Sequence, residues 1–132
     1  MNTIITGYMR ELPVGYKTRM RELTLGPIAW GMWSWTFHDG STRAAVLVGP
    51  DRDIQAWASL TPEVDLLPVI GVYVPEELRG AGLAAQLVRT LLLDCLATKV
   101  LSPGDAIYAA TQRWSAYPAV IASCGLVCRP WV

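Results

Sequence analysis

The sequence predicts a single α/β domain over residues 1–132, in which helices flank one mixed α+β sheet. Three observations carry that expectation: short apolar runs closed by Gly and Pro, one long helical row of leucines, and a composition with 52% hydrophobic against 17% charged residues. A chain this long builds one core without disulfide or metal staples, whereas two cores would each sit near the lower size limit for independent folding. The apolar content excludes disorder.

In chain order, Tyr16, Met20 and Leu23 stand at i, i+4 and i+7 between Pro13 and Leu25 and predict a helix that ends at Gly26-Pro27. Ile28 to Phe37 concentrates Trp30, Met32, Trp33, Trp35 and Phe37, a short second helix or irregular aromatic segment before a turn at His38-Asp39-Gly40-Ser41. The period then changes. Ala44 to Val48, the turn Gly49-Pro50-Asp51 and the alternating Ile54 to Leu60 predict an antiparallel hairpin. A third strand, Val69 to Val74, is stopped by Pro75, and its continuous apolar character predicts a central strand covered on both faces.

The clearest helix follows Gly82, with Leu83, Leu87, Leu91 and Cys95 in one row and Ala84, Val88 and Leu92 beside it, until Ser102-Pro103-Gly104. Ala106 to Ala110 reads as a short buried strand. Ser115 to Cys124 reads as a short helix that tolerates Pro118 in its first turn and ends at Gly125. Leu126 to Val132 closes the chain as a strand.

Charge and cysteine content narrow the function. Eleven basic residues balance eleven acidic ones, so no overall field draws the protein to nucleic acid or an anionic membrane. Cys95, Cys124 and Cys128 lack zinc or dithiol spacing and read as buried free thiols of a reducing compartment, with no metal site. The first residues lack the basic start and apolar stretch of a signal peptide, and no 18 apolar residues run together, which predicts a soluble cytoplasmic protein. Low charge and six tryptophans point to a covered apolar surface, with a second copy of the chain, a homodimer, as the expected partner.

The segment with the most chemistry runs from the third strand through Pro75-Glu76-Glu77-Leu78 into Arg79-Gly80-Ala81-Gly82-Leu83-Ala84. Glycines and alanines strip side-chain bulk from the start of a helix, so consecutive N–H groups can face outward as an anion nest. The helix dipole and Arg79 add positive charge, which suits a diphosphate. Close packing of the helix start is the competing reading of the same glycines. The turn is neither a Walker A loop nor a dinucleotide fingerprint.

This stretch resembles the GNAT superfamily of N-acetyltransferases. The acetyl-CoA motif of that family, Gln/Arg-x-x-Gly-x-Gly/Ala after a Val-x-Val strand, is matched by Val72-Tyr73-Val74 and by Arg79-Gly80-Ala81-Gly82-Leu83-Ala84, and the order of elements fits from about residue 42 to 126. The resemblance implies a mostly antiparallel central sheet, shortened at the C-terminus, and acetyl-CoA as co-substrate. It implies that the amides of Gly80 to Ala84 cradle the pyrophosphate. It also implies that Val72, Tyr73 and Val74 pair with the pantetheine arm, and that the acceptor surface includes Trp30 and Trp33, which core filling would also explain.

Departures from the family pattern bear on catalysis. Ile121 stands where the family usually carries its tyrosine general acid, and Trp114 where an Asn is common. Tyr117, one helical turn earlier on the same face, is the replacement proton donor, with ordinary packing as the competing reading. Glu63, Asp65, Glu76 and Glu77 are the acids available as base; His38 reads as a surface residue. Two function classes lead: an acetyl-CoA-dependent N-acetyltransferase acting on a primary amine, and a noncatalytic CoA-binding or regulatory module. An interaction protein that keeps only its surface would not need the filled turn.

Overall fold

The computed structural model describes residues 2–13, 15, 16, 19, 20, 42–63, 66–109 and 116–130. Six strands form one sheet in the order β1-β2-β3-β4-β5-β6: β1 (Thr3–Tyr8), β2 (Arg43–Val48), β3 (Ile54–Glu63), β4 (Leu66–Tyr73), β5 (Ala106–Ala109) and β6 (Val127–Pro130). Helix α1 (Leu83–Ala97) joins β4 to β5, and α2 (Tyr117–Ser123) joins β5 to β6. No helix among the described residues is long and apolar enough to cross a membrane.

The hairpin, the third strand and the leucine-rich helix form where the sequence places them. The strand β1 is an addition to that reading. It pairs antiparallel with β2 from Thr3↔Val48 to Tyr8↔Arg43, so its partner lies beyond the whole 9–42 segment and no local turn announces it. The sheet is mixed and mostly antiparallel, as expected: β1 to β4 alternate, and β4–β5 and β5–β6 are parallel. Each parallel step follows from a helix standing between consecutive strands, because a crossover returns the chain in the same direction.

Alternation sorts the strands onto two faces. Ala45 and Leu47 of β2 and Ala56, Ala58 and Leu60 of β3 face α1 and α2, whereas Ala44, Val46, Val48, Ile54 and Trp57 face the other way. Leu87, Val88, Leu91, Leu92 and Cys95 of α1 are fully buried over β2 and β3. The alanines let the helix lie close, and each buried leucine contributes roughly 2 kcal/mol. On the opposite face Trp57 stacks on Tyr73, with ring centroids 4.7 Å apart, and packs with Met9 and Met20. Residues 15, 16, 19 and 20 are helical, in line with the first predicted helix. The aromatic segment from Ile28 to Phe37 lies outside the described residues.

Where Gln55 leaves the β2–β3 register, between Leu47↔Ala56 and Val48↔Ile54, the strand carries one extra residue. This bulge turns the side chain at 55 toward the α1 face.

A polar strap ties β2 to the far end of α1. Arg43, buried in β2, forms an ion pair with Asp94 and lies over the Tyr8 ring at 4.5 Å from its centroid. Removing the carboxylate strands a buried guanidinium, so Asp94→Ala should cost about 3 kcal/mol in urea unfolding, more than the joint change Arg43→Met with Asp94→Leu. Cys95, next to that pair, is pushed up to about 12 by burial, against an ordinary thiol value of 9.0. The native state therefore keeps a proton that the unfolded chain loses. Stability should be whole below about pH 9 and fall as the pH rises toward 12, and Cys95→Val should flatten that part of the unfolding profile.

Candidate functional site

The turn between β4 and α1 is built by backbone conformation. After Tyr73 the chain passes through Val74 and Pro75 into a single 3₁₀ turn, Glu76–Leu78, closed by bonds from Leu78 N–H to Pro75 O and Arg79 N–H to Glu76 O. Gly80 and Gly82 then adopt left-handed φ values of 93° and 78°. A Cβ placed on either would meet no atom within 4 Å. Close packing is therefore not what these glycines serve; they permit the left-handed turn and leave the space in front of it open.

Gly82 caps α1 with no side-chain hydrogen bond, and Gln86 is the first amide to bond back into the helix, to the Gly82 carbonyl at 3.1 Å. The amides at the start of α1 thus face the open side, where the helix dipole is positive. Arg79 stands beside them. Its Nε donates to the Val74 carbonyl at 2.9 Å, which holds the guanidinium against the end of β4 and occupies the last carbonyl of that strand segment. An uncapped helix start, two glycines with free space and one anchored cation give the turn the features of an anion nest.

β4 supplies the second part. It pairs with β3 through Ser59↔Gly71, Ala58↔Val72 and Trp57↔Tyr73, whereas β5 meets it at Val69↔Tyr108 and Ile70↔Ala109. Among the described residues, the β5-facing edge of β4 beyond Ile70 has no strand partner. Val72 and Val74 turn toward the α1 and α2 core, and Tyr73 toward Trp57 on the opposite face.

Tyr117 reaches this same edge. It is the first residue of α2, 1% exposed, and its hydroxyl faces the backbone of Val72. Burial pushes its phenol well above the ordinary tyrosine range, with the Val72 backbone pulling back more weakly. Pro118 sits exposed in the first turn while Tyr117 points inward, and Ile121, one turn on, is packed in the same core.

The structure thus brings Val72, Val74, Arg79, Gly80, Ala81, Gly82, Leu83, Ala84 and Tyr117 to one side of the sheet. It separates the Tyr73 side chain from them. Glu76 and Glu77 are exposed on the 3₁₀ turn. Trp30, Trp33, His38, Asp65, Trp114 and the Glu63 side chain lie outside the described residues.

A cavity of about 560 Å³ adjoins the turn on the side away from β5, lined among others by Asn2, Leu47, Gln55, Ala81, Leu83 and Gln86. The sequence reading did not single out these amides, because Gln55 reaches the cavity through a bulge and Asn2 through an unforeseen strand.

No family model and no curated protein matches the sequence. Among solved structures, an acyl-CoA N-acyltransferase from Pseudomonas aeruginosa superposes with a TM-score of 0.66 at 18% identity, over 95% of this chain and 88% of that one. ElaA of Escherichia coli superposes with a TM-score of 0.57 at 24% identity, over 74% of this chain and 71% of that one. A GNAT-family acetyltransferase from Staphylococcus aureus Mu50 gives 0.58 at 12% identity, over 92% and 81%. With its six-stranded mixed sheet, the glycine turn after β4 and the helices α1 and α2, this chain has the GNAT acetyltransferase fold.

Proposed function

We propose that residues 1–132 form a single acetyl-CoA-dependent N-acetyltransferase domain that acts on a primary amine. The observation that carries this reading is the open, uncapped turn of Gly80 to Ala84 at the end of β4. Diphosphate oxygens accept from the turn amides and face Arg79. The pantetheine arm lies along Val72 to Val74, beside the Val74 carbonyl that accepts from Arg79.

Chemistry then requires little beyond positioning. The neutral amine adds to the thioester carbonyl, a backbone N–H of β4 stabilises the charge on the carbonyl oxygen, and collapse breaks the C–S bond with departure of the thiolate. The nitrogen loses its extra proton to water. Tyr117 faces the departing sulfur from α2. Burial keeps its hydroxyl protonated at every working pH, and also makes it a weaker acid than a free phenol, so its assistance belongs at the low end of general-acid effects.

Tyr117→Phe should therefore lower turnover by about 10²-fold while acetyl-CoA affinity stays near wild type. Wild-type turnover in that variant would assign the step to carbonyl polarisation and geometry alone. The cofactor assignment is tested at Ala81, which is exposed and not left-handed, so that a substitution there adds charge without backbone strain. Ala81→Glu should weaken calorimetric acetyl-CoA binding by more than about tenfold with an unchanged circular dichroism spectrum; unchanged affinity would overturn the reading. A panel of primary amines assayed for released CoA identifies the acceptor class.

Ile121, in the position where a tyrosine donor is expected, favours a second reading, a noncatalytic CoA-binding module. Tight acetyl-CoA binding with no release of thiol across the amine panel would establish it.

A further inference from the structure

We infer that the outer edge of β1 pairs with the β1 edge of a second copy of this chain, antiparallel about a two-fold axis at Ile5. β1 stands first in the sheet order, so among the described residues no strand lies on its outer side. It carries no charged residue and no proline, the devices that commonly blunt an edge. β6, at the other end of the sheet, has both: Arg129 is exposed, and Pro130 has no N–H to offer. The contrast marks β1 as the open edge.

The ladder between β1 and β2 decides which backbone groups are open. Met9 N–H donates to the Thr42 carbonyl at 2.8 Å, in the register that continues from Tyr8↔Arg43. Antiparallel bonding alternates along a strand, so Thr3, Ile5 and Gly7 also bond toward β2, whereas Ile4, Thr6 and Tyr8 direct their backbone groups outward. Glu11 closes one end of that edge, because its carboxylate accepts from the Tyr8 N–H at 3.1 Å. The N–H groups left open are those of Ile4 and Thr6, each with its carbonyl beside it.

One register uses all of them. With Ile5 opposite Ile5 of the second copy, Ile4 exchanges both of its bonds with Thr6 of that copy, and Thr6 does the same with Ile4. A register centred on Thr6 would instead set Ile4 against Tyr8, whose N–H Glu11 already occupies, and one centred on Ile4 would face Ile5 with Thr3. Side chains favour the same choice. Ile4 packs toward the α1 core, while Ile5 is 36% exposed on the opposite face. At the axis the two Ile5 side chains form a close, non-hydrogen-bonded pair and cover each other. An uncharged strand does not repel its own copy, and a chain of zero net charge adds no overall repulsion.

Strands this short bury less surface than a permanent interface, so the test is sedimentation from roughly 1 to 100 μM. The wild type should pass from the 14.5 kDa monomer toward the dimer as concentration rises. Ile5→Lys, which sets like charges across the axis, should weaken dimerisation more than about tenfold, and Val127→Lys, at a comparably exposed position on β6, should not. In a Cys128→Ser background, Ile5→Cys should cross-link under mild oxidation while Thr3→Cys, on the same face of the strand, should not. Only residues that meet at the axis reach disulfide geometry. A monomer throughout the range, an undiminished dimer in Ile5→Lys, or a dimer lost in Val127→Lys would overturn the β1 interface. Absent cross-linking of Ile5→Cys, or equal cross-linking of Thr3→Cys, would overturn it independently, and this arm holds should Ile5→Lys fail to fold.

Discussion

The close seating of α1 on the alanines of β2 and β3 is the constraint on which the rest of the molecule depends. With Ala45, Ala56 and Ala58 beneath it, the helix buries five apolar side chains completely against the sheet. That contact fixes the direction of its axis, and hence where its first amides point. The chain must reverse from the end of β4 onto this helix within a few residues, and only left-handed conformations at Gly80 and Gly82 complete the reversal while leaving the amides uncovered. The uncovered helix start is in this sense a by-product of packing geometry, left open by the absence of side chains in front of it.

The opposite end of the helix is held by charge. The Arg43–Asp94 pair joins β2 to the last turns of α1, and Tyr8 covers the guanidinium from β1. A pair this buried adds little net stability compared with an apolar replacement, yet it penalises any slide of α1 along the sheet, because a slide would separate the charges in a poorly solvated place. Apolar packing sets how close the helix lies and the ion pair sets its register. Both act on the position of the Gly80–Ala84 turn relative to β4.

Tyr117 illustrates how one burial acts on packing and on acidity together. Its ring belongs to the core under α2, while its hydroxyl meets the β4 backbone at Val72. The same desolvation that stabilises the ring in the core keeps the phenol protonated and weakens it as an acid.

Local pattern was sufficient for the hairpin, the central strand, the leucine row of α1 and the filled motif at Arg79 to Ala84, because each depends on residues near one another in the chain. Even the choice of glycine at 80 and 82 is legible there, although whether they serve packing or an open turn is not: that depends on which atoms stand nearby, and the fold leaves none within 4 Å. The strand β1 escaped the sequence reading because its pairing spans the 9–42 segment, and the parallel arrangement of β4, β5 and β6 is set by crossovers rather than turns. Tyr117 is a tyrosine near the right helix in the sequence, but only the packing of α2 against α1 and β6 brings its hydroxyl to the Val72 backbone. Gln55 is the sharpest case: alternation assigns it to one face, and a single extra residue in β3 moves it to the other. The sequence by itself determined the hairpin, the central strand, the long helix and the glycine-rich composition of the turn; tertiary structure alone decided what meets that turn from other strands, because contacts between distant segments are set by the summed packing of the sheet and not by any short pattern.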